Sequence, residues 1–361
     1  MAITAADYVP VLKWRQGEYQ ALWRLNDAQR ARIVPLIEVT PPDFDFEEWQ
    51  PKKAIDEHLK KFAARLKQKW GQRPALLDAG LLHPATRMIG GAHPLLWLMD
   101  QVRPSRTNLV PVTNFERDAE YQNAVRVAHA VDGYGAVLRC SLEDAAESDF
   151  AANVEALADT LELEVSDFDI VIDLKSPNFE PLDGLVTLLS NILSASLAFQ
   201  TARSLTMVAT AFPLSMAEVK GPIQFVGRKE WLLYKALMGR LALGARRPTF
   251  GDYAIASPEL PQGDMRLLKP SATVRYAVDD GWIIAKGSNV RDNGFEQYRD
   301  CCGAVTGAAS YLGAGFSRGS ECIECCRSGT AKTGNLTTWR WVGTNHHMTK
   351  VVHDLASFHG S

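Results

Sequence analysis

Eight short apolar runs, at residues 9–13, 33–39, 74–78, 109–113, 135–139, 168–173, 204–210 and 252–257, each lead into a polar residue or a turn. Segments with helical spacing separate most of them. Strand and helix alternating this often demand a largely parallel sheet with helical cover. An open, doubly wound sheet explains the alternation, but a count of eight favours closure into a barrel. The chain therefore reads as an α/β protein: a TIM-like (β/α)8 barrel with a C-terminal hairpin and an appended tail.

The helical stretches fit that frame. Over 55–70, Ile55, Leu59, Phe62, Ala63, Leu66 and Trp70 fall on one stripe. Further helices are expected over 117–131, 143–161 (with Ser141 as its cap), 185–199 and 228–243. Pro35 cannot donate to a ladder, so pairing of the second run should begin late. Past residue 257 the pattern changes. Runs at 272–277 and 281–285 flank Asp279-Asp280-Gly281, a hairpin signal. One barrel-type domain is expected over 1–361, with a hairpin insertion at 270–290 and an appended C-terminal segment at 313–361.

Composition excludes some classes. Lys plus Arg number 39 against 42 Asp plus Glu, and a net charge of -3 argues against a surface that binds polyanions all over. No run reaches the length of a membrane span, and residues 1–7 lack the basic and apolar regions of a secretory signal. A cytoplasmic protein with no membrane partner is expected. The sequence has no GxxxxGK[ST], HExxH, GxSxG or GxGxxG.

Barrels carry their chemistry at the carboxyl ends of the strands. That rule selects Lys13, Glu38, Asp78, Asn114, Arg139, Asp173, Lys175 and Thr210. Glu38, Asp78 and Asp173 are the catalytic candidates. Together they would also offer hard oxygen ligands of the kind Mg²⁺ takes, or divide acid and base roles. Lys13, Arg139 and Lys175 would hold an anionic ligand. Internal salt bridges at strand ends explain the same charges without any ligand. Asn345 and His346, read as part of a turn with His347, are further ligand-binding candidates, against a purely hydrogen-bonded structural role.

Cys322, Cys325 and Cys326 would need Cys301, Cys302 or the His346-His347 pair to complete a zinc site. Buried reduced thiols are the simpler reading. Trp14, Arg15, Trp23, Arg24, Trp339, Arg340 and Trp341 interleave rings with positive charge, as a stacking groove for nucleic acid would, although packing and cation–π pairing explain them too.

The opening Tyr8-Val9-Pro10-Val11-Leu12-Lys13-Trp14-Arg15-Gln16-Gly17-Glu18, then Ile33-Val34-Pro35-Leu36-Ile37-Glu38, resembles the phage T4 beta protein-like family, known as beta family proteins. The closing Gly334-Asn335-Leu336-Thr337-Thr338-Trp339-Arg340 and Gly343-Thr344-Asn345-His346-His347 is similar to the family's ending. The resemblance implies a phage-related protein, near mobile-element or antiviral defence functions. It draws attention to Lys13, Glu18, Glu38, Trp339, Asn345 and His346 and supplies no mechanism.

Three functions follow as expectations. The first is a barrel that binds a small anionic, phosphorylated ligand at the strand mouth and acts as a metal-assisted hydrolase. The second is a non-catalytic module with a protein partner, anchored by tryptophans of the tail. The third is nucleic-acid binding.

Overall fold

The computed structural model describes residues 3–260, 263 and 267–360. Its contacts divide the chain into two compact units. One contains Met1–Trp14, Ile33–Ala209 and Leu233–Asp252; the other contains Arg15–Arg32, Thr210–Leu232 and Tyr253–Ser361. No described helix is long and apolar enough to cross a membrane.

The first unit holds the closed parallel barrel. Its strands are Tyr8–Lys13, Leu36–Glu38, Ala75–Asp78, Leu109–Thr113, Ala136–Ser141, Phe168–Asp173, Ser204–Val208 and Thr249–Asp252. Each pairs with the next, and the eighth returns to the first. The runs are apolar without alternation because one face packs into the barrel and the other under the helices. Every residue of the first four strands is accordingly buried. The second strand starts at Leu36, directly after Pro35. Helices Phe62–Lys69, Pro94–Val102, Ala119–Asp132, Phe150–Leu161 and Leu182–Ala195 lie between strands in sequence and bury one stripe each. Ser141 caps the short helix Leu142–Ala146, its hydroxyl accepting from the Asp144 N–H at 3.0 Å.

The eighth strand corrects the expectation of 252–257. It spans Thr249–Asp252, so Asp252 ends it rather than starting it. Gly251 is the reason the true strand is hard to see. A Cβ there would lie 2.7 Å from Val208 Cγ2 and 2.8 Å from the Val9 carbonyl oxygen, so the neighbouring strands require glycine. Tyr8 and Asp252 are both buried, and the Tyr8 hydroxyl donates to Asp252 Oδ1. Phe250 stacks on Tyr8 and meets Tyr234 edge-on.

The second unit contains the expected hairpin, Ser271–Ala277 with Gly281–Asn289, in antiparallel register. A third strand, Ile223–Gly227, pairs with its outer side and has no counterpart in the apolar runs. The tail is helical. Arg318–Arg327 and the 24-residue helix Leu336–His359 replace the turn expected around His346. Gly343 suits this helix because a Cβ there would stand 2.7 Å from Ile255 Cδ1. All six cysteines are free thiols. Cys301, Cys302 and Cys326 lie in the core of this unit with Tyr298 and Trp339.

Candidate functional site

Strand register builds the site. Lys13 pairs with Glu38, and Glu38 pairs with Asp78, so three charged residues stand at one level on three adjacent strands. Arg139, on the fifth strand, reaches two of them. Its Nη1 donates to Glu38 Oε1 at 2.9 Å and to Asp78 Oδ2 at 2.8 Å. Strand five neighbours neither strand two nor strand three, so these groups meet through the barrel interior. Arg139 Nε and Nη2 also donate to Asp173 Oδ2, at 3.0 and 2.7 Å. One guanidinium thus joins carboxylates from three strands, the fork geometry for which arginine is suited.

The cluster is nearly dry. The side chains of Lys13, Glu38, Asp78 and Asp173 are buried, and that of Arg139 is 14% exposed. The second oxygens of Asp78 and Asp173 are held from the backbone. Gly80 N–H donates to Asp78 Oδ1 at 2.8 Å, and Lys175 N–H donates to Asp173 Oδ1 at 2.9 Å. Lys175 therefore contributes its main chain, in a left-handed conformation (φ 52°), while its side chain is exposed.

Sequence reasoning missed Arg117. It lies past the end of strand four and before helix Ala119–Asp132, whose N-terminus is capped by Asp118. Its Nη2 stands 3.4 Å from Asp78 Oδ1, and its Nη1 donates to the Gly80 carbonyl at 3.3 Å. Its guanidinium carbon is 5.0 Å from the centroid of the Tyr121 ring. Burial, reinforced by Asp78, pushes the Tyr121 hydroxyl far above its ordinary value. That hydroxyl stays protonated and donates to the Val112 carbonyl at 3.0 Å.

Two buried polar atoms of this cluster lack a hydrogen-bond partner among the described residues: Glu38 Oε2 and Arg117 Nε. Lys13 Nζ approaches Glu38 Oε2 to 3.5 Å, an ion pair rather than a hydrogen bond. One is an acceptor and the other a donor, and buried polar groups are normally paired. Arg117 also lines a cavity of about 140 Å³ with Gly80, His83, His93 and Tyr121.

The expected Mg²⁺ ligand set is not formed. Glu38, Asp78 and Asp173 each point an oxygen at Arg139, so a cation already occupies their point of convergence. Among the described residues no group of three or more His, Cys, Asp or Glu is placed to hold a metal ion. This covers the cysteine cluster as well.

Asn345 and His346 are not at this mouth; they belong to the second unit. His346 is fully buried and stacks on Tyr276 at 3.8 Å. Its Nε2 contacts the Ala277 carbonyl at 2.8 Å, and its Nδ1 contacts the Ser317 and Ser320 hydroxyls, each at 3.1 Å. Burial lowers its pKa to about 3, so the ring is neutral: Nε2–H donates and Nδ1 accepts. Asn345 accepts from Gly319 N–H at 3.0 Å and donates to the Ala21 carbonyl at 3.1 Å. With these partners the polar atoms of both side chains are engaged inside the second unit.

The aromatic and arginine series is used in packing. Trp339 stacks on Tyr298 at 4.5 Å and donates to the Thr333 carbonyl. Arg24 lies over Trp341 at 4.3 Å and over Trp23 at 5.0 Å.

Two solved structures match this chain at low similarity. The catalytic module of a family 98 glycoside hydrolase from Streptococcus pneumoniae, in complex with the Lewis Y pentasaccharide blood group antigen, aligns with TM-score 0.36 and 11% identity. The alignment covers 71% of this chain and 48% of that one, so this chain spans about half the length of the hydrolase module. Triosephosphate isomerase from Bartonella henselae aligns with TM-score 0.34 and 11% identity, over 69% of this chain and 93% of that one. Among curated proteins none matches. The sequence itself matches the Beta protein family from residue 8 to residue 353, and the chain belongs to that family.

Proposed function

We propose that the carboxyl end of the barrel binds a small ligand carrying both an anionic group and a hydroxyl, and that Glu38 serves as the general base in its hydrolysis. The observation that carries this reading is the pair of unfilled buried atoms, Glu38 Oε2 and Arg117 Nε. An attacking water gives its proton to the first as its oxygen bonds to the phosphorus of a phosphate ester, and that proton passes to the alcohol oxygen of the ester bond that breaks. An anionic oxygen accepts from the second. Lys13 and Arg139 balance the charge that develops, in surroundings where water does not screen it.

Calorimetric titration against sugar phosphates tests binding, and release of inorganic phosphate from those that bind tests hydrolysis. The wild-type protein should bind at least one member. Arg117→Gln should weaken it by about 10- to 100-fold, the effect of one charge-assisted hydrogen bond. Glu38→Gln should abolish turnover while the fold persists. Wild-type binding that both variants retain unchanged would overturn the reading.

A further inference from the structure

An arginine inside a fold is ordinarily held by carboxylates or carbonyls, because an unpaired buried charge loses its hydration for nothing. Arg275 departs from that rule. It lies in strand Ser271–Ala277 of the second unit and is half-buried. Among the described residues its guanidinium meets no acceptor. Its Nε is sealed from solvent, but its two Nη groups are not.

Its neighbour is a second arginine. Arg340 sits in helix Leu336–His359, one turn before Gly343, so both face the same way. A Cβ on Gly343 would stand 3.5 Å from Arg275 Cβ and 2.7 Å from Ile255 Cδ1. Arg340 Nη1 donates to the Ile255 carbonyl at 3.1 Å. The two arginines therefore flank one contact, that of Gly343 with Ile255. The stem of Arg340 is confined as well, because it passes Gly17, where a Cβ would overlap Arg340 Cγ. Arg340 is half-buried, and among the described residues neither arginine has a carboxylate within ion-pair distance.

Arg275 responds to these surroundings. Burial first, and then the charge of Arg340, lowers its pKa to about 9, while the phenol of Tyr298 in helix Tyr298–Thr306 opposes the shift. Arg275 is still charged at neutral pH. Two positive charges thus share one half-buried place with nothing of opposite sign beside them.

We propose that Arg275 and Arg340 form a phosphate site in the second unit, which takes a phosphate group, free or as a monoester, between the two guanidinium groups. Phosphate fits in charge, since it carries about −1.5 to −2 at pH 7 against two arginines. It also fits in shape, because its oxygens match the guanidinium fork. A carboxylate would leave one positive charge over. None of these residues belongs to the barrel mouth, so the site stands or falls independently of Glu38 and Arg117.

The test is urea unfolding and titration calorimetry of the full chain with inorganic phosphate, against potassium chloride of equal ionic strength. Arg117→Gln is the parent protein throughout, which keeps the barrel mouth from being mistaken for this site. Phosphate stabilises proteins in general by exclusion from their surface, so parent and variants are compared. Without phosphate, Arg275→Met should unfold at a higher urea concentration than the parent, because it removes a charge that has no partner. With phosphate, the parent should gain more stability than Arg275→Met or Arg340→Gln. Calorimetry should show phosphate bound to the parent and weakened about 10- to 100-fold in each variant. Phenylphosphonate, a monoester mimic with no ester bond to hydrolyse, separates the two sources. A site for the free ion excludes it, and a site for a monoester binds it and loses it in Arg275→Met. If Arg275→Met does not fold, the same titrations on Arg340→Gln decide. A parent that binds no phosphate, or variants that bind it as tightly as the parent, would overturn the proposal.

Discussion

The two ends of the barrel carry the same kinds of side chain in opposite states of completion. At the amino end, Asp169 is held by Arg203 in a two-point contact, Nε to Oδ1 at 3.1 Å and Nη2 to Oδ2 at 2.7 Å. Ser204 adds a hydroxyl at 2.6 Å, and the third arm of Arg203 donates to the Tyr134 carbonyl. At the carboxyl end, Arg139 binds three carboxylates, yet Glu38 Oε2 and Arg117 Nε remain without hydrogen bonds. Strand six takes part in both, with Asp169 near its start and Asp173 at its finish. Charge and burial alone therefore do not distinguish a structural cluster from a candidate site. The two clusters differ in the atoms that they leave without hydrogen bonds.

Substitutions break this comparison in order of size. Asp169→Ala leaves Arg203 without its carboxylate and should cost about 3–5 kcal/mol in urea unfolding, with ligand binding at the other end unchanged in the protein that remains folded. A smaller loss there would mean that the amino-end cluster is as open as the mouth.

His346 extends the test to the second unit, where its ring nitrogens are engaged as completely as Asp169. Its folded pKa is about 3 against an ordinary value of 6.5. The unfolded chain binds a proton in that interval and the folded chain does not. The stability due to the neutral ring is thus complete above pH 6.5 and falls by about 1.4 kcal/mol per unit as pH drops towards 3. Urea titrations from pH 7 to pH 4 should give a slope of stability against pH that is lower by one proton in His346→Gln than in the wild type.

Tyr8→Phe removes the hydroxyl from Asp252 and should cost about 1–2 kcal/mol. Glu38→Gln should stay within about 1 kcal/mol of the wild type, since it neutralises an incompletely bonded carboxylate, yet it should abolish turnover. Functional groups commonly trade stability for activity in this way. An Asp169-sized loss in Glu38→Gln would place the mouth with the structural clusters.

The same contrast sets how far the sequence could be read. Seven strands were legible because uninterrupted apolar runs are what a strand buried on both faces requires. The eighth was not, because Thr249-Phe250-Gly251-Asp252 breaks the run with the glycine that strand contact demands, and the more apolar stretch after it turns away. The five charges at strand ends were legible from position alone. Their mutual arrangement was not, since the reach of Arg139 across the barrel depends on closure and register. Arg117 gave little signal, being a loop residue before a helix. The helix over Leu336–His359 was hidden by Gly343, Thr344 and Asn345, weak helix formers on their own that become useful where neighbours pack closely or polar groups meet.

The seam between Tyr8 and Asp252 has a consequence for synthesis. The first strand emerges from the ribosome before the other seven, but the strand that shuts the ring beside it ends at Asp252. Until then the level formed by Lys13, Glu38 and Asp78 lies in an unclosed sheet. Contacts this far apart in sequence make for slow assembly. A truncated nascent chain would expose the Tyr8 edge of that sheet to any other strand nearby, and the Tyr8–Asp252 hydrogen bond is the point at which this exposure ends.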